Sequence, residues 1–165
     1  MVKYVIDTNV PIVANGDAGN VTVDCRLAAV ELLQAAIAKG MILLDSAGAI
    51  QEEYRRHLYP RGQPGVGDRF YLEVINSDPK KIARVDLAKR ADGEYADLPQ
   101  PIINAAFDPS DRVFAALAKK TRAKVYNAVD TDWLEKRAVI EANGIAISFL
   151  CGCVSANWRT NDAAD

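Results

Sequence analysis

The sequence predicts an α/β domain with a central parallel sheet and helices on both faces, and three observations carry that expectation. Short apolar runs recur at 3–7, 41–45, 123–129 and 145–150. They are continuous rather than alternating, as strands covered on both faces read. Segments of helical period separate them, giving the alternation of an α/β fold. The first run, Tyr4-Val5-Ile6, ends directly in Asp7, at the carboxyl end of a strand, where open α/β sheets bind ligands.

Taken in order, 3–7 is the first strand. Residues 24–39 follow as a helix, with Leu27, Val30, Leu33 and Ile37 at helical spacing and Gly40 as the stop. Met41-Ile42-Leu43-Leu44-Asp45 is the second strand, and 48–58 a helix with Ile50, Tyr54, His57 and Leu58 on one stripe. The rhythm then breaks. Residues 59–106 read as an insertion decorating the core: a Gly/Pro loop over 61–68, a short helix over 69–75, and an exposed alternating strand at 82–87 that Asp92-Gly93 turns back on itself. Asp108-Pro109-Ser110-Asp111 starts a helix running to about Lys120, with proline at its first position. A strand at 123–129, a helix at 131–143 stopped by Gly144, and a last strand at 145–150 complete one domain over 1–154. Residues 155–165 form a polar, frayed tail.

Composition narrows the function classes. The chain has 165 residues, 50% hydrophobic and 25% charged, with a formal net charge of −2. That excludes a wholesale basic nucleic-acid binder but allows a basic rim around an acidic centre. No apolar run approaches the roughly 18 residues of a membrane span, and Asp7 sits where a signal peptide would be hydrophobic. A cytoplasmic protein without membrane association is expected. Cys25, Cys151 and Cys153 match no zinc or redox spacing, and read as small buried apolar residues.

The chemistry-bearing pattern is acidic. After Asp7 come Glu52-Glu53, Asp108 with Asp111, and Asp130 with Asp132, each at a strand end or helix start. Carboxylates gathered in one pocket repel one another, and a hard divalent cation relieves the repulsion. For Asp7 the competing account is an Asx turn with Asn9 and Pro11. Helical phase sets Glu53 beside the Ile50, Tyr54 and His57 stripe and turns Glu52 away, making Glu53 the candidate ligand. Asp108 and Asp111 also suit helix capping, yet Asp111 shares a face with Phe114, Ala115 and Ala118. Asp130 ends a strand as Asp7 does, with Asp132 auxiliary. Around these acids, Thr8 and Asn9 are placed to orient a water or a phosphate, and Arg55, Arg56 and Arg61 to hold a phosphate backbone. The Gly62–Gly67 loop lacks the Gly-Lys-Ser/Thr ending of an ATP-binding loop.

Four segments together resemble the PIN-domain nucleases, the family of the VapC-type toxins: Val5-Ile6-Asp7-Thr8-Asn9-Val10, Ile50-Gln51-Glu52-Glu53-Tyr54, the run from Asp111 to Ala118, and Asp130-Thr131-Asp132-Trp133-Leu134. The resemblance covers 2–58 and 107–150. It implies a PIN-like three-layer α/β sandwich, and Mg²⁺ or Mn²⁺ held by Asp7, Glu53, Asp111 and Asp130 with Asp108 or Asp132 in support. It also implies endoribonuclease action on single-stranded RNA, as in a toxin–antitoxin pair. The partners to expect are RNA, an antitoxin or other protein, and a second copy of the chain. Many family members carry Ser or Thr two residues before the last acid; here Ala128 stands there, leaving Thr131 as the nearest hydroxyl. That departure favours an alternative reading, a PIN-like scaffold that binds RNA or protein without cutting. A phosphatase of the haloacid-dehalogenase kind would need Asp-x-Asp after the first strand, which Asp7-Thr8-Asn9 does not supply.

Overall fold

A computed structural model describes residues 1–160. Five short strands, β1 (Lys3–Ile6), β2 (Met41–Asp45), β3 (Ile82–Val85), β4 (Lys124–Asn127) and β5 (Ile147–Phe149), form one sheet in the order β3-β2-β1-β4-β5. Every neighbouring pair is parallel. Two helices fill each connection: α1 (Asn9–Asn15) and α2 (Val23–Lys39), then α3 (Ala49–His57) and α4 (Val66–Asn76). After β3 come α5 (Gln100–Asn104) and α6 (Arg112–Thr121), and after β4 come α7 (Thr131–Glu135) and α8 (Arg137–Ala142). The α/β class with an all-parallel sheet is as the apolar runs predict.

The chain builds outward from β1 to β3, then returns to β4 and builds outward again to β5. With right-handed crossovers, that reversal sends the first two connections over one face and the last two over the other. Accordingly α1, α2 and α4 pack on one another, and α8 packs on α5 and α7. The reversal falls between β1 and β4, whose carboxyl ends open a crevice. Tyr4, Val5 and Ile6 pair with Lys124, Val125 and Tyr126, and the Asp7 N–H extends the ladder to the Tyr126 carbonyl at 3.1 Å. Residues just beyond these two strands are thereby forced together.

The insertion differs from its expectation. It supplies an integral edge strand, since β3 pairs with β2 over Ile42↔Ile82 to Asp45↔Val85. The Asp92-Gly93 turn exists, but it bridges Lys89 to Tyr95 rather than folding β3 on itself. Within the supposed loop, α4 already starts at Val66. A Cβ at Gly67 would collide with the Pro11 carbonyl, so a glycine that reads as loop composition is what lets α4 lie close to α1. Asn15 and Asp68 bond across the same seam, Asn15 Nδ2 donating to Asp68 Oδ1 at 2.9 Å and the Asp68 N–H to Asn15 Oδ1 at 3.1 Å.

Smaller corrections follow from local chemistry. The helix expected over 131–143 breaks at Lys136 into α7 and α8. The tail docks as far as Thr160: Trp158 is buried, its indole donates to the Gly152 carbonyl, and the Thr160 N–H bonds to the Asn20 carbonyl. Residues 161–165 lie outside the described residues. Cys25, in the first turn of α2, is disulfide-bonded to Cys151, and Cys153 is free and exposed; the three are not simply buried apolar residues. Among the described residues no helix is long and apolar enough to cross a membrane.

Candidate metal centre

Three carboxylates converge at the crevice. Asp7 follows β1, Asp130 follows β4, and Asp111 ends the 3₁₀ turn Pro109–Asp111 that leads into α6. One oxygen from each lies within 4.8 Å of the others. Two oxygens on one hard cation, each at about 2.0–2.6 Å, stand roughly 3–5 Å apart, so the spacing suits a shared ion. Asp108, Asp111 and Asp132 form a second group within the same limit, with Asp111 common to both.

The electrostatics are those of a pocket that wants positive charge. Burial, then the charges of Asp7 and Asp130, push Asp111 up to about 10. Burial likewise lifts Asp7 to about 6, against the lowering effect of the Asn9 backbone N–H, and burial raises Asp130. Ionising all three together without a counter-charge is unfavourable. Asp111 Oδ2 is moreover buried with no hydrogen-bond partner, a state that costs free energy unless a ligand completes it. An all-oxygen acidic set with one unanswered buried oxygen fits a hard divalent ion.

A network of amides holds the geometry. Asn9 donates to Asp7 Oδ1 from its backbone N–H at 3.0 Å and from Nδ2 at 2.6 Å. Its Nδ2 also donates to Asn127 Oδ1 at 2.8 Å, and its Oδ1 accepts from the Ala128 and Val129 N–H groups. Asn127 in turn donates to the Asp130 carbonyl and accepts from the Asp130 N–H. The two side-chain amides thus tie the end of β1 to the turn carrying Asp130. Asn9, expected to orient substrate, has both its amide hydrogens and both acceptor positions committed to this frame. Thr8 is buried and its hydroxyl has no partner.

Two of the acids, Asp108 and Asp130, do double duty as caps, and Asp132 ties back to the first of them. Asp108 Oδ1 accepts from the Ser110 N–H and hydroxyl, Asp132 Oδ2 from the Asp108 N–H at 2.7 Å, and Asp130 Oδ1 from the Asp132 N–H. Capping and clustering are therefore not alternatives here.

Glu53 joins neither carboxylate group. Its oxygens face Arg56 at 3.4 Å and His57 at 3.5 Å on its own helix. The helix turns Tyr54 inward instead, fully buried, with its hydroxyl donating to the Ile6 carbonyl at 2.5 Å. The expected phosphate clamp is also answered from within: Arg55 binds both oxygens of Glu52 at 2.7 Å, and Arg56 lies between Glu52 and Glu53. Arg61 is exposed with no ion pair among the described residues. The roles of Asn127 and Trp133 are not in the sequence reading; their only signal was proximity to Asp130 in the chain.

A cavity of about 780 Å³ opens at the other end of the sheet, lined by Lys119, Lys120, Arg122 and Asp97 among others. Its two lysines bond to the Asn143 and Asp86 carbonyls, so it is a seam closed by α6 rather than part of the acidic site. Compared with family models, with curated proteins and with solved structures, the chain finds no match in any of the three.

Proposed function

We propose that this protein is a PIN-like, Mg²⁺- or Mn²⁺-dependent nuclease that hydrolyses phosphodiester bonds in single-stranded RNA. The observation that carries the reading is the Asp7–Asp111–Asp130 triad, two acids buried and Asp130 half-buried, with its unanswered Asp111 oxygen, at the reversal point of a parallel sheet. Asp7, Asp111 and Asp130 would hold the ion, with Asp108 and Asp132 beside Asp111 for a second. When bound, such an ion lowers the pKa of water and neutralises charge developing on a phosphoryl group. The chain's own residues do the rest. Asn9 and Asn127 keep Asp7 and Asp130 facing one another, and Thr8, next to Asp7 in the chain, carries a buried hydroxyl with no partner. Glu53 is left out of the ligand set. A toxin-type role with an antitoxin partner belongs to the same proposal.

A second reading, binding RNA or protein without cutting, is favoured by the internal pairing of Arg55 and Arg56 and by Ala128. Incubating the protein with a mixed RNA pool, with and without Mn²⁺, separates the two. Mn²⁺-dependent cleavage that Asp111→Asn abolishes supports the nuclease. Mn²⁺ binding without cleavage of any nucleic acid supports the scaffold, and no Mn²⁺ binding overturns both the metal and the nuclease.

A further inference from the structure

The carboxylate of Asp7 has one more partner, and it comes from far along the chain. Trp133 Nε1 donates to Asp7 Oδ2 at 2.7 Å across 126 residues, both groups being buried. Counting lone pairs is then informative. Oδ1 already accepts two hydrogen bonds from Asn9, and Oδ2 accepts one from the indole. A carboxylate has about four acceptor positions, so a single position remains, on Oδ2.

We propose that Trp133 is a positioning residue for the metal centre: its indole N–H restricts Asp7 to one-oxygen ligation through Oδ2 and aims that oxygen at the ion. This rests on the metal reading above and adds a residue and a coordination mode to it. The choice of side chain makes physical sense. An indole donates and cannot accept, so it neither ligates the ion nor competes for it. It is also neutral, whereas Lys or Arg in its place would cancel the charge the ion needs.

The indole is itself fixed. The Phe107 ring stands edge-on to it, centroids 4.7 Å apart and planes at 70°. Ala106, just before Phe107, has φ +58°, a left-handed conformation that costs a non-glycine residue about 1 kcal/mol or more. The Phe107 carbonyl accepts from Arg112 Nε at 2.9 Å, and Arg112 is paired with Glu94. One clamp therefore grips Asp7 through Trp133 and the start of α6, where Asp111 sits, through Arg112.

The test is Mn²⁺ affinity, read from the free-ion EPR signal. Trp133→Phe keeps a ring against Phe107 and removes the N–H; Phe107→Leu removes the ring contact and keeps the N–H. The expected result is a Kd for Mn²⁺ raised about 10-fold or more in Trp133→Phe, the range for lost supporting partners of metal ligands. In Phe107→Leu the thermal stability should drop further and the Kd move less. If Trp133→Phe does not fold, 3-benzothienylalanine at position 133 in a Trp158→Phe background keeps the bicyclic shape and deletes only the N–H. An unchanged Kd with the N–H removed, while wild type binds Mn²⁺, overturns the role of Trp133 and leaves the metal reading standing. Absence of Mn²⁺ binding by wild type overturns both.

Discussion

The ends of β1 and β2 look alike in sequence and do different work. Each is an apolar strand running into an aspartate, Asp7 at 3% and Asp45 at 1% exposure, and each leads into a helix. Asp45 meets the start of α3: Oδ2 accepts from the Ala49 N–H at 2.9 Å and Oδ1 from the Ile50 N–H at 2.8 Å. Both oxygens face helix N-terminal amides, so the charge is compensated locally. Asp7 meets two other carboxylates instead. The difference comes from sheet order. β2 lies between β1 and β3 on the continuous side, whereas β1 borders β4 at the reversal, where the acids of 108–132 arrive. A buried aspartate at a strand end is thus a cap or a ligand according to what topology sets beside it.

The largest effect that would break this contrast is on catalysis. Asp7→Asn and Asp111→Asn should each lower Mn²⁺-dependent cleavage of single-stranded RNA by roughly three orders of magnitude or more, by misplacing the ion. Cleavage by Asp7→Asn at near wild-type rate would remove Asp7 from the site.

Stability comes next, and here the capping aspartate and the clustered Asp111 should move in opposite directions. Asp45→Ala leaves the buried Ile50 N–H unanswered and strips the cap from the exposed Ala49 N–H, and should cost about 2 kcal/mol in urea unfolding. Asp111→Asn without metal removes an acid that is costly to ionise beside Asp7 and Asp130, leaves an amide able to donate to Asp130, and should raise stability by about 1–2 kcal/mol, a gain that saturating Mn²⁺ turns into a deficit. Parallel losses in both variants would dissolve the comparison.

Acidity sharpens it further. Asp7 is held near 6 in the fold against an ordinary 3.8, so the folded protein binds the extra proton. Without metal, stability should be full below about pH 4 and fall as pH rises through 6, on the order of 2–3 kcal/mol from this group. Asp111, pushed higher still, extends the decline above neutrality. Mn²⁺ should flatten the profile, and a metal-free protein most stable at pH 8 would contradict it.

The smallest effect concerns Glu53. Its exchange for Gln should cost about 0.5 kcal/mol, as for a surface-side ion pair, and leave the Mn²⁺ Kd unchanged. A tenfold weaker Kd would show that Glu53 leaves Arg56 and His57 to join the acids.

What could be read from the sequence was mostly local. Continuous apolar runs gave β1, β2 and β4, and the Asp108-Pro109 start gave the entry to α6. Local signals also misled. Asn9-Val10-Pro11 resembles a turn, yet opens α1, where proline in a first turn is tolerated. The alternation Ile82-Ala83-Arg84-Val85 reads as a decorating strand because β3 is a sheet edge with only part of its surface covered. Glu53 lies at the rim of the buried stripe, as helical phase predicts, but phase says nothing about whether Arg56 and His57 answer it first. The disulfide, the Asn9–Asn127 link and the Trp133–Asp7 bond span 126, 118 and 126 residues. No pattern within a short window encodes such meetings.

The central place of β1 has a consequence for how the molecule is made. Within this domain the first strand to be made is the one that must lie between β2 and β4, and β4 begins 118 residues after Ile6. Asp7 therefore waits through most of synthesis for Asn127, Asp130 and Trp133. Pairings this distant are reached late, after many local ones have formed. A nascent chain carries β1, β2 and their helices long before it carries a metal centre, so competence of the site reports that β4 and α7 have joined β1. Interruption before Asn127 yields most of the mass of the domain and none of its proposed chemistry.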